Sequence, residues 1–396
     1  MAGPLTIDLR DEGLWQDPYP VWRDAQARHR FALSAPGEVI LLRADDLDVA
    51  GSDTAFAPLG LDALRRLGIE DGPFFEWRRL TLAVADGEEH RRLRSVVSRS
   101  FTPRRVDALR TAVRAHAAAL LDDAMAGGRF DVVADLAGPL PLWVICRFLG
   151  LPEEIDGELA AFLVGTEEGF ADPMTPERRS RAEAGIVALY GVVDRLIEER
   201  TRAPREDLVT DLVDAERAGQ LDLDELRALV VNIVGGAIGS SRAAIENMAL
   251  LVLRHPDQAR AVRDDPALVR AAVEECLRFH PPFRSGRRKV VAPFDGFGHS
   301  LQAGDTVFLA RQAANRDPRR WDDPDRFDVS RPVRRHHSFG YGPHLCLGQA
   351  LARVDLEETL VALLERHDHL ELVDTDPRRV PSGIDEALEQ LRVDAL

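Results

Sequence analysis

Cys346 lies in the run S-F-G-Y-G-P-H-L-C-L-G-Q-A-L-A-R, Ser338 to Arg353, at the head of an amphipathic helical pattern. Gly340 and Gly342 permit backbone angles closed to other residues, and Pro343 stiffens the turn. Cys346 therefore falls where the helix beginning near Leu347 has N–H groups with no partner inside the helix. A thiolate there is stabilised by those N–H groups and by the helix dipole, and the thiolate is the form of cysteine that attacks carbon or binds a metal. The same spacing also suits a small buried hydrophobe in front of a helix. The other two cysteines, Cys146 and Cys276, are widely spaced from it and read as helix core; an odd set of this kind excludes a disulfide scaffold and a C-x-x-C zinc cluster. With Lys289 the single lysine, Schiff-base catalysis has little scope.

The elements that must position these groups are mostly helices. Helical periodicity runs from Pro103 to Asp123, Phe130 to Leu149, Pro176 to Arg200 and Asp222 to Arg254, then through Pro256–Arg263, Pro266–Phe279 and Leu347–Arg366. Strand patterns are short: Glu38–Leu42, Arg287–Val291, Thr306–Ala310 and Leu370–Val373. A mainly α fold with small peripheral sheets is expected. In the Asp222 helix, Asp222 and Glu225 form a capping box and His255-Pro256 stops a run of about 32 residues, roughly 48 Å. Its middle, V-N-I-V-G-G-A-I-G-S-S, is apolar on nearly all sides, which places it through the centre of the fold. Gly235, Gly236 and Gly239 each cost about 1 kcal/mol against alanine there. Close helix packing and room for a ligand against bare backbone both remain open as explanations.

The segment Phe339 to Gly348, F-G-Y-G-P-H-L-C-L-G, resembles the haem-binding loop of the cytochrome P-450 family, F-G-x-G-x-H-x-C-x-G, at all six fixed positions. The resemblance implies the P-450 fold, with haem b held by Cys346 as proximal iron ligand, and thiolate ligation that favours O–O cleavage. It implies that Phe339 shields the sulfur, that His344 reaches a propionate, and that Gly340, Gly348 and Ala237 touch the cofactor. Glu275-Cys276-Leu277-Arg278 is similar to the family's E-x-x-R, a bidentate pair on one helix face, with Arg326 in D-P-D-R-F-D as its third member. The stretch A-A-N-R-D-P-R-R-W between them adds weight. H-R-R-L-R, followed by F-T-P-R-R-V, resembles the helix that brings His90 and Arg94 to the propionates, and Arg288 matches the strand arginine with the same role. As isolated residues, His90 and Arg94 would read as surface charge on an amphipathic helix.

The pattern breaks on the central helix. Where the family carries A-G-x-[D/E]-T, this chain has Gly236-Ala237-Ile238-Gly239-Ser240, so Ser240 keeps the hydroxyl and Gly239 replaces the acid. Proton delivery needs a donor within hydrogen-bond reach or through one water. It must come from water beside Ser240 and Ser241, from the substrate, or from chemistry without the usual relay. Glu246 sits about 10 Å along the helix from Gly239 and is an unsuitable replacement, and Arg242, turned about 200° from Ser240, reads as a structural or surface cation rather than a substrate clamp. By position in the family, the loop Pro73 to Val84 covers the substrate, with Phe74, Phe75, Trp77, Leu80 and Leu82 as an apolar wall, unless these aromatics are plain core. Ile233, Gly236, Pro282, Phe283, Arg284 and Ile384 complete the expected pocket; Arg284 could pair with a substrate carboxylate or make a salt bridge.

Composition bounds the rest. The 396 residues carry 51 basic and 67 acidic side chains, a net charge of −16, which argues against a nucleic-acid protein. Length suggests two or three domains, yet no linker divides the chain, and a single domain over 1–396 is expected. The longest apolar stretch, Ala228–Gly239, falls short of the ~20 residues that span a bilayer, and the N-terminus lacks signal-peptide features, so a cytoplasmic, monomeric protein is expected. With no flavin or iron–sulfur domain in view, the resemblance implies electrons from a separate ferredoxin and ferredoxin reductase. Arg91, Arg92, Arg99, Arg104, Arg105, Arg334, Arg335 and Arg353 are the expected docking patch. The leading reading is a monooxygenase that hydroxylates or epoxidises a small molecule in secondary metabolism. The alternatives are peroxide-driven, coupling, nitrating or rearranging chemistry on the same fold, and a non-enzymatic haem-thiolate binder or sensor.

Overall fold

The structure, a computed structural model, describes residues 4–151, 156–170 and 173–396. It is mainly helical with two small sheets. The chain divides into two compact units, one built from residues 1–57, 107–141 and 239–396, the other from residues 58–106 and 142–238.

The first unit contains both sheets. A six-stranded sheet runs in the order Thr6–Ile7, Phe31–Ser34, Val39–Leu41, Thr306–Ala310, Ser285–Val290, Phe56–Ala57. Ser285–Val290 and Thr306–Ala310 pair antiparallel, with Gly286 opposite Leu309 and Arg288 opposite Val307. Alternate residues of Thr306–Ala310 feed two apolar clusters, Val307 and Leu309 joining one, Phe308 and Ala310 the other. A three-stranded sheet joins Arg129–Asp131, Arg392–Ala395 and Leu370–Leu372. The helix Gln349–Leu364, which leaves the Cys346 segment, packs against Arg110–Met125.

The second unit is helical. Pro176–Arg202 packs along Asp156–Gly169, and a Cβ at Gly185 would come within 2.6 Å of the Ala161 carbonyl, so a side chain there would separate the two helices. Leu208–Arg217 is capped by the Asp207 carboxylate, which accepts the Thr210 N–H at 2.8 Å.

The central helix spans Leu223–Arg254. Its capping box forms as the sequence requires: Glu225 N–H donates to Asp222 Oδ1 at 2.8 Å and Asp222 N–H donates to Glu225 Oε2 at 3.0 Å. Among the described residues it is the one helix long and apolar enough to cross a membrane, which the stretch Ala228–Gly239 alone does not suggest. Glu246 and Asn247, buried on this helix, are both hydrogen-bonded, as core polar groups must be.

Three patterns resolve differently from expectation. Pro103–Asp123 divides into Pro103–Asp107 and Arg110–Met125, and Phe130–Leu149 becomes strand Arg129–Asp131, a π-turn Val133–Ala137 and helix Pro139–Leu149. The expected loop Pro73–Val84 is a helix over Gly72–Arg79, because Phe74 and Trp77, three residues apart, bury one shared face.

Candidate functional site

Cys346 is held on a turn that the rest of the first unit grips from several sides. Its N–H donates to the Phe339 carbonyl at 2.9 Å and Gly340 N–H donates to His337 O at 2.9 Å, closing the loop. Gly340 and Gly342 have φ of +74° and +70°. A Cβ at Gly342 would lie 1.9 Å from the Gly51 carbonyl oxygen, so glycine is required there twice, by conformation and by space. The side chain of buried Asn315 bridges to the loop: Oδ1 accepts His337 N–H at 2.7 Å and Nδ2 donates to Ser338 Oγ at 3.0 Å. Ser338 Oγ in turn donates to Leu277 O at 2.6 Å, on the E-x-x-R helix. Cys346 itself is exposed, Cys276 is buried and Cys146 is half-buried, so core burial describes Cys276 but only part of Cys146.

The E-x-x-R pair is buried and bidentate, with Arg278 Nε and Nη2 donating to Glu275 at 2.7 and 2.8 Å. Arg278 Nη1 also donates to the carbonyls of Asn315, 3.0 Å, and Pro324, 2.8 Å. The pair thus fixes the backbone of the same Asn315 whose side chain holds the cysteine loop. The third member is corrected by the structure. The side chain of Arg326 is exposed, on a turn, and only its carbonyl meets Arg278. It is Arg331 that reaches Glu275, Nε to Oε1 at 3.3 Å, while also donating to three turn carbonyls.

On the central helix, Gly235 is a packing glycine: a Cβ there would meet Phe162 Cζ at 3.0 Å. At Gly236 and Gly239 a Cβ would have no described atom outside the helix backbone within 4 Å. The two explanations for the glycines therefore divide between positions. Gly236, Gly239 and Ser240 fall at i, i+3 and i+4, so the two glycines and the serine share one face of the helix. Arg242 donates from Nε to Glu246 Oε1 at 2.8 Å, and Glu246 Oε2 accepts Leu388 N–H at 2.8 Å. Both side chains are engaged in hydrogen bonds within the fold.

The family model described as Cytochrome P450 matches residues 170–388. The chain is 38% identical to 6-deoxyerythronolide B hydroxylase of Saccharopolyspora erythraea over 298 residues, 74% of this chain and 72% of that one. It is 34% identical to cytochrome P450 monooxygenase PikC of Streptomyces venezuelae over 394 residues, 94% of this chain and 89% of that one. It superimposes on the crystal structure of CalO2 with a TM-score of 0.93 at 29% identity, each chain covered to 99%. This chain belongs to the cytochrome P450 family. It is a P450 monooxygenase, an oxidoreductase that incorporates oxygen, and the family implies haem, a small-molecule substrate and redox partners.

The residues of this P450 fit that cofactor. Bare backbone stands at Gly239, and a Cβ at Gly348, two residues past Cys346, would also meet no described atom within 4 Å. Arg311 is a cation that sequence reasoning missed. Arg311 lies with its Nη2 2.9 Å from where a Gly286 Cβ would stand and 6.0 Å over the Phe283 ring. Burial and the Arg288 guanidinium push Arg311 down to about 10, the Cys346 sulfur opposing. Cations of this kind, Arg311 and Arg288, suit an anionic macrocycle. Arg311 opens the short helix Arg311–Asn315 directly after the strand Thr306–Ala310, and no motif marks it. His344 and Arg288 are half-buried in the first unit; in the second, on the helix Gly87–Ser98, His90 is buried and Arg94 half-buried.

Of the expected pocket residues, Phe74 and Trp77 are buried in an aromatic cluster with Phe162 and Phe170, ring centroids 5.4 to 6.0 Å apart, which is core packing. Phe75 and Leu82 are buried as well and Leu80 half-buried. Ile233 and Pro282 are buried, Phe283 and Ala237 half-buried, and Ile384 exposed. Arg284 is buried, donates from Nη1 to the Ser382 carbonyl at 2.8 Å and stands 5.5 Å over Trp15, a backbone contact in place of the expected salt bridge. It borders a buried polar hub on Glu386. There Glu386 Oε1 accepts from His280 Nδ1 at 2.6 Å and from the Tyr19 hydroxyl at 3.1 Å, and Arg379 Nη1 lies 3.4 Å away. Against burial, His280 and Arg379 hold the Glu386 carboxyl well below the usual range, while burial pushes His280 down to about 3.

Several of the arginines expected to form a docking patch are engaged in internal contacts. Arg92 is bidentate on Glu225, Arg105 on Asp211, and Arg353 on Glu274. Arg335 lies 3.6 Å over Tyr341, and Arg334 donates to Arg320 O at 3.0 Å. Arg99 bonds Gln220 at 3.1 Å, and Arg104 stands 3.7 Å from Glu206 at a highly exposed position.

Proposed function

We propose that this P450 hydroxylates or epoxidises a small organic substrate in natural-product tailoring, using haem b, dioxygen and electrons from a separate ferredoxin and its reductase in the cytoplasm. The exposed Cys346 on its glycine turn is the observation that carries the reading. Haem bound there supplies the chemistry of dioxygen activation. Cys346 would hold the iron, with Gly340, Gly348 and Ala237 leaving room for the macrocycle and Phe339 covering the sulfur. Arg288, Arg311 and His344 would neutralise the propionates, as would His90 and Arg94. All of 1–396 would then serve one catalytic domain, acting as a monomer. The tailoring role rests on relatives that are a 6-deoxyerythronolide B hydroxylase and a Streptomyces P450 monooxygenase.

Within the site, Ser240 would hold a water at the bare backbone of Gly236 and Gly239, and that water would pass the proton the missing acid would otherwise supply, with Ser241 behind it. Glu246 is tied to Arg242 and Leu388, which supports water or substrate over this carboxylate as donor. Ferrous–carbon monoxide difference spectra of the wild type and Cys346→Ser test the ligation, and product formation with ferredoxin, reductase, nicotinamide cofactor and dioxygen tests the reaction. The open space at Gly239 favours one second reading, turnover driven by peroxide. Product from peroxide alone, with none from the reductase system, would select it.

A further inference from the structure

Arg353 has the spacing of a docking cation, yet its guanidinium faces inward. Its central carbon stands 4.4 Å over the Phe339 ring. It is held there by Glu274, whose two carboxylate oxygens accept from Nε and, at 3.2 Å, from Nη2. Glu274 Oε2 also meets His336 Nε2 at 3.1 Å. His336 Nδ1 accepts Ser338 N–H at 3.2 Å, which leaves Nε2 as the nitrogen that donates to Glu274. The His336 ring lies 5.8 Å from Phe339, tilted 33°. Phe339 is thus gripped by a cation and an imidazole that share one buried carboxylate, and its own carbonyl accepts the Cys346 N–H at 2.9 Å. Against burial, hydrogen bonds from His336 and Arg353 hold the Glu274 carboxyl down at about 2, so the carboxylate is charged at every working pH.

We infer that Arg353, pinned by Glu274 and His336, is a positioning residue that fixes Phe339 in the Cys346 loop and raises the haem reduction potential through its positive charge. A cation on the face of this ring favours the added electron, and the carboxylate behind it offsets part of that field. The inference rests on Cys346 as haem ligand. It makes a signed statement about two charges, which a packing role alone does not.

The test is a spectroelectrochemical titration of the haem-loaded full chain as wild type, Arg353→Met, Arg353→Lys and Glu274→Gln, each with its carbon monoxide difference spectrum. Arg353→Met leaves the Glu274 carboxylate uncompensated and shifts the one-electron equilibrium about tenfold toward oxidised iron, about 59 mV more negative. Glu274→Gln shifts it the other way, and Arg353→Lys stays within about twofold of wild type. If Arg353→Met takes up no haem, the positive shift in Glu274→Gln beside an unmoved Arg353→Lys supports the inference. Equal potentials in all variants that load, or shifts of one sign in both charge-removing variants, overturn it. Lack of the thiolate signature in the wild type overturns the ligation reading first, and this inference with it.

Discussion

At the scale of single residues, the most instructive outcome is the exchange of Arg326 for Arg331 as third partner of Glu275. Both are arginines in the same Pro-rich stretch, and motif spacing favours the first. The turn at Asp323, where φ is +46°, points the Arg326 side chain to solvent and brings Arg331 back over the pair. Arg331→Gln therefore destabilises the protein by about 1–3 kcal/mol in urea unfolding, because it removes a charged donor from a buried carboxylate. Arg326→Gln stays within about 0.5 kcal/mol of wild type. Gly239 carries the second residue-scale prediction. Open space faces it, so Gly239→Asp can be accommodated, and restoring the acid raises product formed per reduced cofactor in the reductase system. Unchanged coupling would remove any catalytic meaning from the missing carboxylate.

At the scale of elements, the three glycines of the central helix separate by what surrounds them. Gly239→Ala stabilises the apoprotein by up to about 1 kcal/mol, since helix propensity improves and nothing is struck. Gly235→Ala loses that gain because its methyl meets Phe162 at 3.0 Å. Unfolding of both apoproteins by circular dichroism checks the difference. The helix that leaves the cysteine loop holds a pH-sensitive position at Asp355. Burial pushes this carboxyl up to about 7, a Thr359 hydrogen bond opposing, and its Oδ1 has no partner among the described residues. An acid whose folded pKa is raised favours the neutral form. Its stability contribution is therefore present below the unfolded value near 4 and is lost as pH rises toward 7. Asp355→Asn cannot ionise, so it should remove on the order of 3 kcal/mol of the fall in stability between pH 4 and pH 8, read from urea midpoints at both.

At the scale of the molecule, the net charge is −16, and of the arginines expected to dock a redox partner, Arg92, Arg105 and Arg353 are paired with carboxylates. Arg99→Glu with Arg104→Glu slows reduction by an acidic ferredoxin about tenfold at low salt, and the effect fades as ionic strength rises. Stopped-flow rates across a salt series measure it. Much of the site was legible beforehand because its signals are short-range: the cysteine turn, the capping box and the Glu275–Arg278 pair each lie within ten residues of sequence. What was not legible depends on partners brought from afar. Tyr19, His280 and Glu386 meet across separations of 106 to 367 residues, and no local pattern announces a hub of that kind. The aromatics Phe74 and Trp77 had the composition of a pocket wall, and only their packing, Trp77 on Phe162 and Phe74 on Trp77, made them core. Sequence by itself determined the family, the thiolate candidate and the absence of an acid at position 239, since these are matters of residue identity at fixed local spacing. Tertiary structure decided which arginines are surface charge and which are buried partners, from Arg331 on Glu275 to Arg353 on Phe339. A guanidinium is long enough to reach several places, and its destination is set by which carboxylate the fold has desolvated within its range.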